Sequence, residues 1–251
     1  MRIFAFIPAR YGSSRFPGKP LAPIAGKPMI RHVYERALSC PELSDVYVVT
    51  DDERISNCVE HFGGKVVLSG GTHLCGTDRI SEAALKMELG DEDLVVNIQG
   101  DQPLFHPALI SRLIAPFLED DAILMTTLKC PIRDRKTVQN PNHVKVVTDA
   151  QGFALYFSRS PIPFLRDSGC DCLYYKHLGF YGFRMPFLTR FSRLPQGSLE
   201  AAEKLEQLRA QEHGFKIKVV ETPYDSIEID VPQDIEKMEK MLAQGQDPGG
   251  L

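Results

Sequence analysis

The sequence predicts an α/β protein on a mainly parallel sheet, and two observations predict it. Short apolar runs rich in Val, Ile and Leu recur through the first half of the chain, with helix-like stretches between them. Strands that alternate with helices build parallel sheets, whose ligands sit beyond the carboxyl ends of the strands. From about residue 130 the rhythm changes to strands without helices between them. That change predicts a smaller β-rich insertion at about 130–190, covering a site or making a dimer contact. The expected layout is a single domain over 1–243 and a flexible tail at 244–251.

The elements follow in order. Ile3-Phe4-Ala5-Phe6-Ile7 is short, apolar and ended by Pro8, which reads as a fully buried strand. Pro28 to Leu38 is a helix with Pro in its first turn. Asp45 to Thr50 is the second strand, and Asp51 and Asp52 cap a helix over 53–61. Lys65 to Leu68 is the third strand. After a glycine-rich loop from Ser69 to Thr77, Asp78 opens a helix to about Glu88. Asp93 to Asn97 is the fourth strand, Pro107 to Leu118 a helix, and Ala122 to Leu128 the fifth strand. Val144 to Thr148 and Phe153 to Phe157 pair across a turn at Asp149 to Gly152. Leu173 to Arg184 is a longer strand, and Leu199 to Gln211 a helix that Gly214 ends. Lys216 to Val220 is a strand and Pro232 to Leu242 the final helix.

Composition excludes several classes. Hydrophobic residues make up 43% and charged ones 25% of 251 residues, with a formal net charge of −4, as in an ordinary globular protein. An acidic balance argues against a general nucleic-acid binder. No apolar stretch is long enough to span a membrane, so no membrane insertion is expected. The N-terminus lacks signal-peptide order, so the expected location is cytoplasmic. Cys40, Cys58, Cys75, Cys130, Cys170 and Cys172 read as free thiols, because Cys170-Asp-Cys172 beside His177 lacks the paired spacing of a zinc site.

The stretch Pro8-Ala9-Arg10-Tyr11-Gly12-Ser13-Ser14-Arg15-Phe16-Pro17-Gly18-Lys19-Pro20 organises the chain. It carries three cations and no acid, and the first carboxylate in the chain is Glu35. A loop after a strand, with Gly for close backbone approach and Lys and Arg for charge, is what a polyphosphate requires. The plainer reading is a surface loop of solvated cations. It is not a Walker A loop, because five residues separate Gly12 from Gly18 and Pro20 follows Lys19.

Further on, Asn97-Ile98-Gln99-Gly100-Asp101-Gln102-Pro103 ends a buried strand and presents an acid on a turn. Asp101 either holds Mg²⁺ or bonds its own backbone. In Ser226-Ile-Glu-Ile-Asp-Val231, Glu228 and Asp230 share a face, and Asp230 also stands near the start of the last helix. Tyr175, His177, Gly179, Tyr181 and Phe183 share a strand face, where His177 reads as a packed core residue. Glu206 reads as a solvated helix position. No Ser-His-Asp arrangement is apparent.

Ile7 to Leu21 resembles the signature loop of the sugar-acid cytidylyltransferases, and among them the 3-deoxy-manno-octulosonate cytidylyltransferase (CMP-Kdo synthetase) family. Later segments match too, so the resemblance spans nearly the whole chain. It implies a three-layer α/β fold of the nucleotide-diphospho-sugar transferase type. It implies a nucleotidyl transfer in which CTP and a 3-deoxy-octulosonic acid (Kdo) give CMP-sugar and pyrophosphate for lipopolysaccharide synthesis, by a homodimer. It does not choose between Kdo and its 8-amino form.

The resemblance also implies roles. Ala9, Arg10, Gly12, Ser13, Arg15 and Lys19 bind the nucleotide. So do Cys75, Gly76 and Asp78, in a segment where the family has Ser at position 75. Asp101 lies in a segment like the family's Gln-Gly-Asp-Glu-Pro motif and, with Asp230, would bind the cofactor Mg²⁺. Gln102 stands where Glu is usual, and no role is assigned to it. Lys19, Asp101 and Asp230 are the expected catalytic groups. Gln99, Arg159, His177, Tyr181, Glu206 and Gln207 would bind the sugar acid, with Arg159 meeting its carboxylate. The rivals are another CMP-sugar-acid synthetase, such as one for sialic acid, and a non-catalytic nucleotide-binding regulator.

Overall fold

The computed structural model describes residues 1–12, 16–70, 73–167 and 172–244. The expected tail beyond Gln244, and Ser13, Arg15 and Cys170, lie outside these residues. β1 (Ile3–Pro8) sends Ile3, Ala5 and Ile7 to one face and Phe4 and Phe6 to the other, all buried. A strand apolar on both faces belongs in the middle of a covered sheet. A single 3₁₀ turn at Lys19–Leu21 follows the opening loop, with Pro20 inside it and no α-helix. The ribbon β2 (Pro23–Ile24) and β3 (Lys27–Pro28) leads into α1 (Met29–Leu38), which buries Ile30, Val33, Tyr34 and Ala37.

β4 (Asp45–Thr50) precedes α2 (Glu53–His61), where the Asp52 carboxylate accepts from the Arg54 N–H at 3.0 Å as a cap. Asp51 takes a different task and pairs with Arg79 at 3.0 Å. β5 (Val66–Leu68) is followed by α3 (Gly76–Lys86), which begins two residues before Asp78. β6 (Leu94–Asn97) starts one residue late because Asp93 turns to Arg2, at 2.7 Å. Next come α4 (Ala108–Glu119), β7 (Met125–Ile132), α5 (Arg135–Gln139), β8 (Lys145–Thr148) and β9 (Ala154–Ser158). β10 (Tyr174–Arg184) runs directly into α6 (Met185–Phe191).

The helix expected over Leu199–Gln211 is broken in two. α7 (Ser198–Glu203) stops at Lys204, which adopts φ 54°, and α8 (Gln207–Glu212) starts in a new direction. A left-handed residue ends a helix as a glycine would, at a cost a lysine rarely bears. β11 (Lys218–Glu221) and α9 (Pro232–Ala243) complete the described chain.

The main sheet runs β11-β7-β10-β6-β1-β4-β5. β10 is antiparallel to both its neighbours, and the other pairings along this path are parallel. The long strand from the β-rich segment thus lies inside the main sheet, and the β8–β9 hairpin branches from it. Gly182 makes the insertion of β10 possible, since a Cβ there would meet Thr126 Oγ1 at 2.6 Å and the Phe117 ring at 2.8 Å. One apolar cluster joins α1, α2 and α4 to one sheet face, and a second joins α3, α6 and α8 to the other, giving three layers. A third, small cluster of Ile24, Met29, Leu104, Ile229 and Met238 ties α9 and the segment before it to the opening loop's base. No helix among the described residues is long and apolar enough to cross a membrane.

Candidate active site

The opening loop leaves β1 and is closed by a hydrogen bond from the Gly18 N–H to the Tyr11 carbonyl at 2.9 Å. Gly18 has φ 71°, and a Cβ there would press on the Tyr11 ring at 3.2 Å, so glycine is required twice over. The Arg54 guanidinium covers that ring at 3.3 Å. This turn delivers Lys19 inward. Its ammonium donates to Asp101 Oδ2 at 2.8 Å and to the Ile229 carbonyl at 2.8 Å, and lies 3.8 Å from Asp230 Oδ1.

Two acids 129 positions apart in the chain (230 − 101) therefore meet across one cation. Ile229 N–H donates to the Asp101 carbonyl at 2.9 Å, which joins the turn after β6 to the segment before α9. Asp234 reaches back to the N–H groups of Asp230 and Val231 at 3.0 and 3.1 Å. Asp234 thus does the capping of the last helix and leaves the Asp230 carboxylate to face Lys19. Gly100 allows the approach of β1, because a Cβ there would lie 3.0 Å from the Pro8 carbonyl.

A third acid belongs to this group. Glu228 Oε1 accepts from Gln102 Nε2 at 3.3 Å, and Gln102 Oε1 accepts from Ser226 Oγ at 3.1 Å. Gln102 is 1% exposed, so its amide is fixed. Burial, and then the charge of Asp101, push the Glu228 carboxyl up to about 7, against the opposing pull of Lys176. Lys176 itself is committed to Asp225 at 2.8 Å and the Ser226 carbonyl at 3.0 Å.

The start of α3 forms the facing wall. Cys75 is its N-cap, and Arg209 packs on the sulfur at 3.7 Å. Asp78 does not cap the helix but accepts from Arg209 at 2.9 Å. Arg209 also holds Glu200 through two bonds of 2.8 and 2.7 Å. The break at Lys204 lets Glu206 turn inward. Thr77 Oγ1 donates to Glu206 Oε1 at 2.7 Å, and Asn97 Nδ2 donates to Thr77 Oγ1 at 3.3 Å. Burial pushes the Glu206 carboxyl up, opposed by hydrogen bonds from Cys75 and Thr77. The reading of Glu206 as a solvated helix position is corrected accordingly. A single helix over 199–211 would not carry it into this contact. Burial, aided by Glu206 and Asp78, likewise drives the Cys75 thiol far above its ordinary value.

The β10 face supplies the floor. β10 bulges between Leu178 and Tyr181, and Thr127 Oγ1 lies 2.8 and 3.2 Å from the Phe180 and Leu178 carbonyls. His177 Nε2 is 2.9 Å from the same hydroxyl. The hydroxyl has one proton, given to a carbonyl, so it accepts from Nε2–H. Burial lowers the His177 pKa to about 3, and the ring stays neutral. Gln99 Nε2 donates to the Gly179 carbonyl in the bulge at 3.0 Å. Tyr181 donates its hydroxyl to Gln207 Oε1 at 2.9 Å. Gln207 Nε2 and Asn97 Oδ1 are buried with no hydrogen-bond partner among the described residues. Arg159 bonds the carbonyls of Glu203, Pro141 and Lys204 at 2.7, 3.0 and 3.5 Å.

A cleft of about 280 Å³ opens at the carboxyl ends of β1 and β6. It gathers Ala9, Arg10, Lys19, Cys75, Gly76, Gln99 and Asp101 from the sequence expectation. Gly12, Asp78, Arg159, His177, Tyr181, Glu206, Gln207 and Asp230 do not line this cleft. Glu206, Gln207 and Tyr181 form a linked group behind the α3 wall, and Asp230 joins through Lys19. Sequence reasoning missed Glu228 and Gln102 as members of the acidic group, and His73 and Arg79 as lining residues. Arg79 was legible in Cys75-Gly76-Thr77-Asp78-Arg79. Glu228 had one signal, its shared face with Asp230.

A mostly parallel sheet whose strand-end loops bring a glycine-rich cationic turn against two carboxylates defines a class, the α/β nucleotidyltransferases. A family model described as cytidylyltransferase matches residues 4–218. The chain belongs to that cytidylyltransferase family. It is 54% identical over 244 residues to the 8-amino-3,8-dideoxy-manno-octulosonate cytidylyltransferase of Shewanella halifaxensis, covering 97% of this chain and 99% of that one. It is 53% identical over 243 residues to the 3-deoxy-manno-octulosonate cytidylyltransferase of Desulfosudis oleivorans, covering 97% and 98%. A solved structure of CMP:2-keto-3-deoxy-manno-octonic acid synthetase complexed with CTP superposes with a TM-score of 0.91 at 41% identity, covering 98% of this chain and all of that one.

Proposed function

We propose that the protein transfers the cytidylyl group of CTP to the anomeric hydroxyl of a 3-deoxy-octulosonic acid, releasing pyrophosphate. One observation carries the reading: Lys19 bridges Asp101 and Asp230 at the mouth of a cleft that also presents Arg10. Arg10, Lys19 and the backbone of the loop offset the charge of the triphosphate and of the leaving pyrophosphate. The wall of Cys75 and Gly76 receives the base.

Asp101 and Asp230 would hold Mg²⁺. Two converging hard carboxylates fit that ion, which takes one or two of them beside substrate phosphates. When bound, Mg²⁺ lowers the pKa of the attacking hydroxyl and neutralises phosphate charge. Lys19 holds the two carboxylates together and keeps a cation beside them. Gln207, with its unmet Nε2, and Glu206 receive sugar hydroxyls, and Tyr181 orients Gln207. Arg159 has five N–H donors and three carbonyl contacts, which leaves two (5 − 3) for the sugar carboxylate. Catalysis rests on positioning and charge, and no covalent enzyme intermediate is required.

The finer reading is a cytoplasmic homodimer serving lipopolysaccharide synthesis. Phe164 and Leu173, 87% and 51% exposed between β9 and β10, are the surface that favours a second copy. The relatives named for the 8-hydroxy and 8-amino sugars are nearly equally similar, so identity does not choose between those substrates. Pyrophosphate release is measured with CTP, Mg²⁺ and, in turn, Kdo, 8-amino-Kdo and N-acetylneuraminate. Release with an octulosonate alone is expected. Release only with N-acetylneuraminate overturns the sugar assignment, and CTP binding without release from any sugar overturns the enzyme reading.

A further inference from the structure

Arg79 is a cation of the cleft that the chemistry above leaves unused. It lines the cleft beside Leu74, Cys75 and Gly76, on the wall that faces Lys19 and Asp101. Its side chain is buried and held from two strand ends. Nη2 donates to Asp51 Oδ2 at 3.0 Å, just past β4, and Nη1 donates to Ser69 Oγ, just past β5. A guanidinium has five N–H donors, so three (5 − 2) have no partner among the described residues. Buried donors that are anchored but unspent at the edge of a cleft are set for what the cleft receives.

The surroundings say which part of a nucleotide that is. Arg79 stands four residues after Cys75 and three after Gly76, which puts the three on one side of the start of α3. Leu74 lines the same cleft and is 72% exposed. A bare leucine suits the face of a flat base and offers nothing to a phosphate. The phosphates have Arg10 and Lys19, both from the loop after β1. Cytosine carries two adjacent acceptors, N3 and O2, and a guanidinium offers paired donors to such an edge. Uracil bears a hydrogen on N3, so a group that only donates meets another donor there.

We infer that Arg79, held by Asp51 and Ser69, donates to N3 and O2 of the nucleotide base and selects cytosine against uracil. The inference rests on the cytidylyl-transfer reading above, with the base at the wall of Cys75 and Gly76. The relatives are named for cytidylyl transfer, and what this structure adds is the side chain that chooses the base. A hydrogen bond from a charged donor is about twice as strong as a neutral one, so the loss of one acceptor on the base is large enough to measure.

The test is the Kd for CTP, UTP and 3-deaza-CTP by titration calorimetry with Mg²⁺, for the intact protein and for Arg79→Met. In 3-deaza-CTP a C–H replaces the N3 acceptor and the phosphates are unchanged. The intact protein is expected to bind CTP about 10- to 100-fold more tightly than 3-deaza-CTP, and UTP no better than the deaza compound. Arg79→Met should bring CTP down to the level of 3-deaza-CTP, with the ratio near one. Asp51 is 42% exposed and stays solvated when its partner is removed, so the variant is expected to fold. If it does not, Arg79→Lys, which keeps the charge and loses the paired donors, is read by the same ratio. Equal affinity of the intact protein for CTP and 3-deaza-CTP refutes the inference. So does a variant that weakens both nucleotides by one factor, which is the mark of a phosphate contact or of a structural role. Binding of none of the three by the intact protein removes the functional reading itself, and with it this inference.

Discussion

Arg209 offers a direct test of how the facing wall is held. Its side chain is 1% exposed and ties Glu200 on α7 and Asp78 on α3 to α8. Glu200 is 4% exposed and has no other cation in reach among the described residues. Arg209→Ala leaves that carboxylate buried and unpaired. Removing one partner of a buried pair costs about 3–5 kcal/mol, because the desolvation penalty of the survivor is no longer offset. In a domain of this size each kcal/mol lowers Tm by about 2–4 °C, so a fall of about 6–20 °C is expected. Thermal unfolding followed by circular dichroism at neutral pH reads it. A second variant separates charge from packing. Arg209→Leu combined with Glu200→Leu removes both charges and should recover part of the loss. A fall below about 3 °C for Arg209→Ala, or a double variant less stable than the single one, would show that the pair is not the source of the stability.

Three other expectations concern Lys19, His177 and the buried thiols. Lys19→Met removes the cation between Asp101 and Asp230 and should lower pyrophosphate release by about 100-fold or more, read in a coupled phosphate assay. His177 is neutral in the fold down to a pKa of about 3, whereas the unfolded chain binds a proton below about 6.5. The unfolded state therefore holds more protons between those values, and stability is complete above about 6.5 and falls as pH falls. Between pH 7.5 and 5.5 this residue should cost about 1.4 kcal/mol in a urea titration, and His177→Gln should lose that share of the pH dependence. Burial first, with nearby carboxylates adding, raises Cys40 and Cys130 to about 12 and Cys75 further. These three thiols should resist iodoacetamide at pH 8 until urea unfolds the chain, as mass spectrometry would record.

The sequence by itself determined the parallel half of the sheet and the cationic loop. Ile3 to Ile7 is apolar on both faces, and Pro20 after Lys19 disfavours an α-helix and leaves a single 3₁₀ turn, so local chemistry is decisive in both places. Asp101 was visible as an acid on the turn after a buried strand, and Asp230 as an acid whose face the alternation of Ile227, Ile229 and Val231 sets, but the residues alone left open whether each is a ligand or a turn or cap acid, and the pairing came from the resemblance. The antiparallel placement of β10 between β6 and β7 was not legible. Strand pairing is a long-range choice, made here by the absence of a Cβ at Gly182 and by the bulge that Thr127 holds. The inward turn of Glu206 was hidden for a related reason. Residues 199–211 have helical character throughout, and the break at Lys204 is held by long-range contacts: Arg209 to Glu200 and Asp78, Thr77 to Glu206, and Arg159 to the Glu203 and Lys204 carbonyls. Glu228 needed the tertiary structure most. Whether an acid is paired depends on which cations reach it, and Lys176 and Lys19 arrive from elsewhere in the chain already committed to other acids.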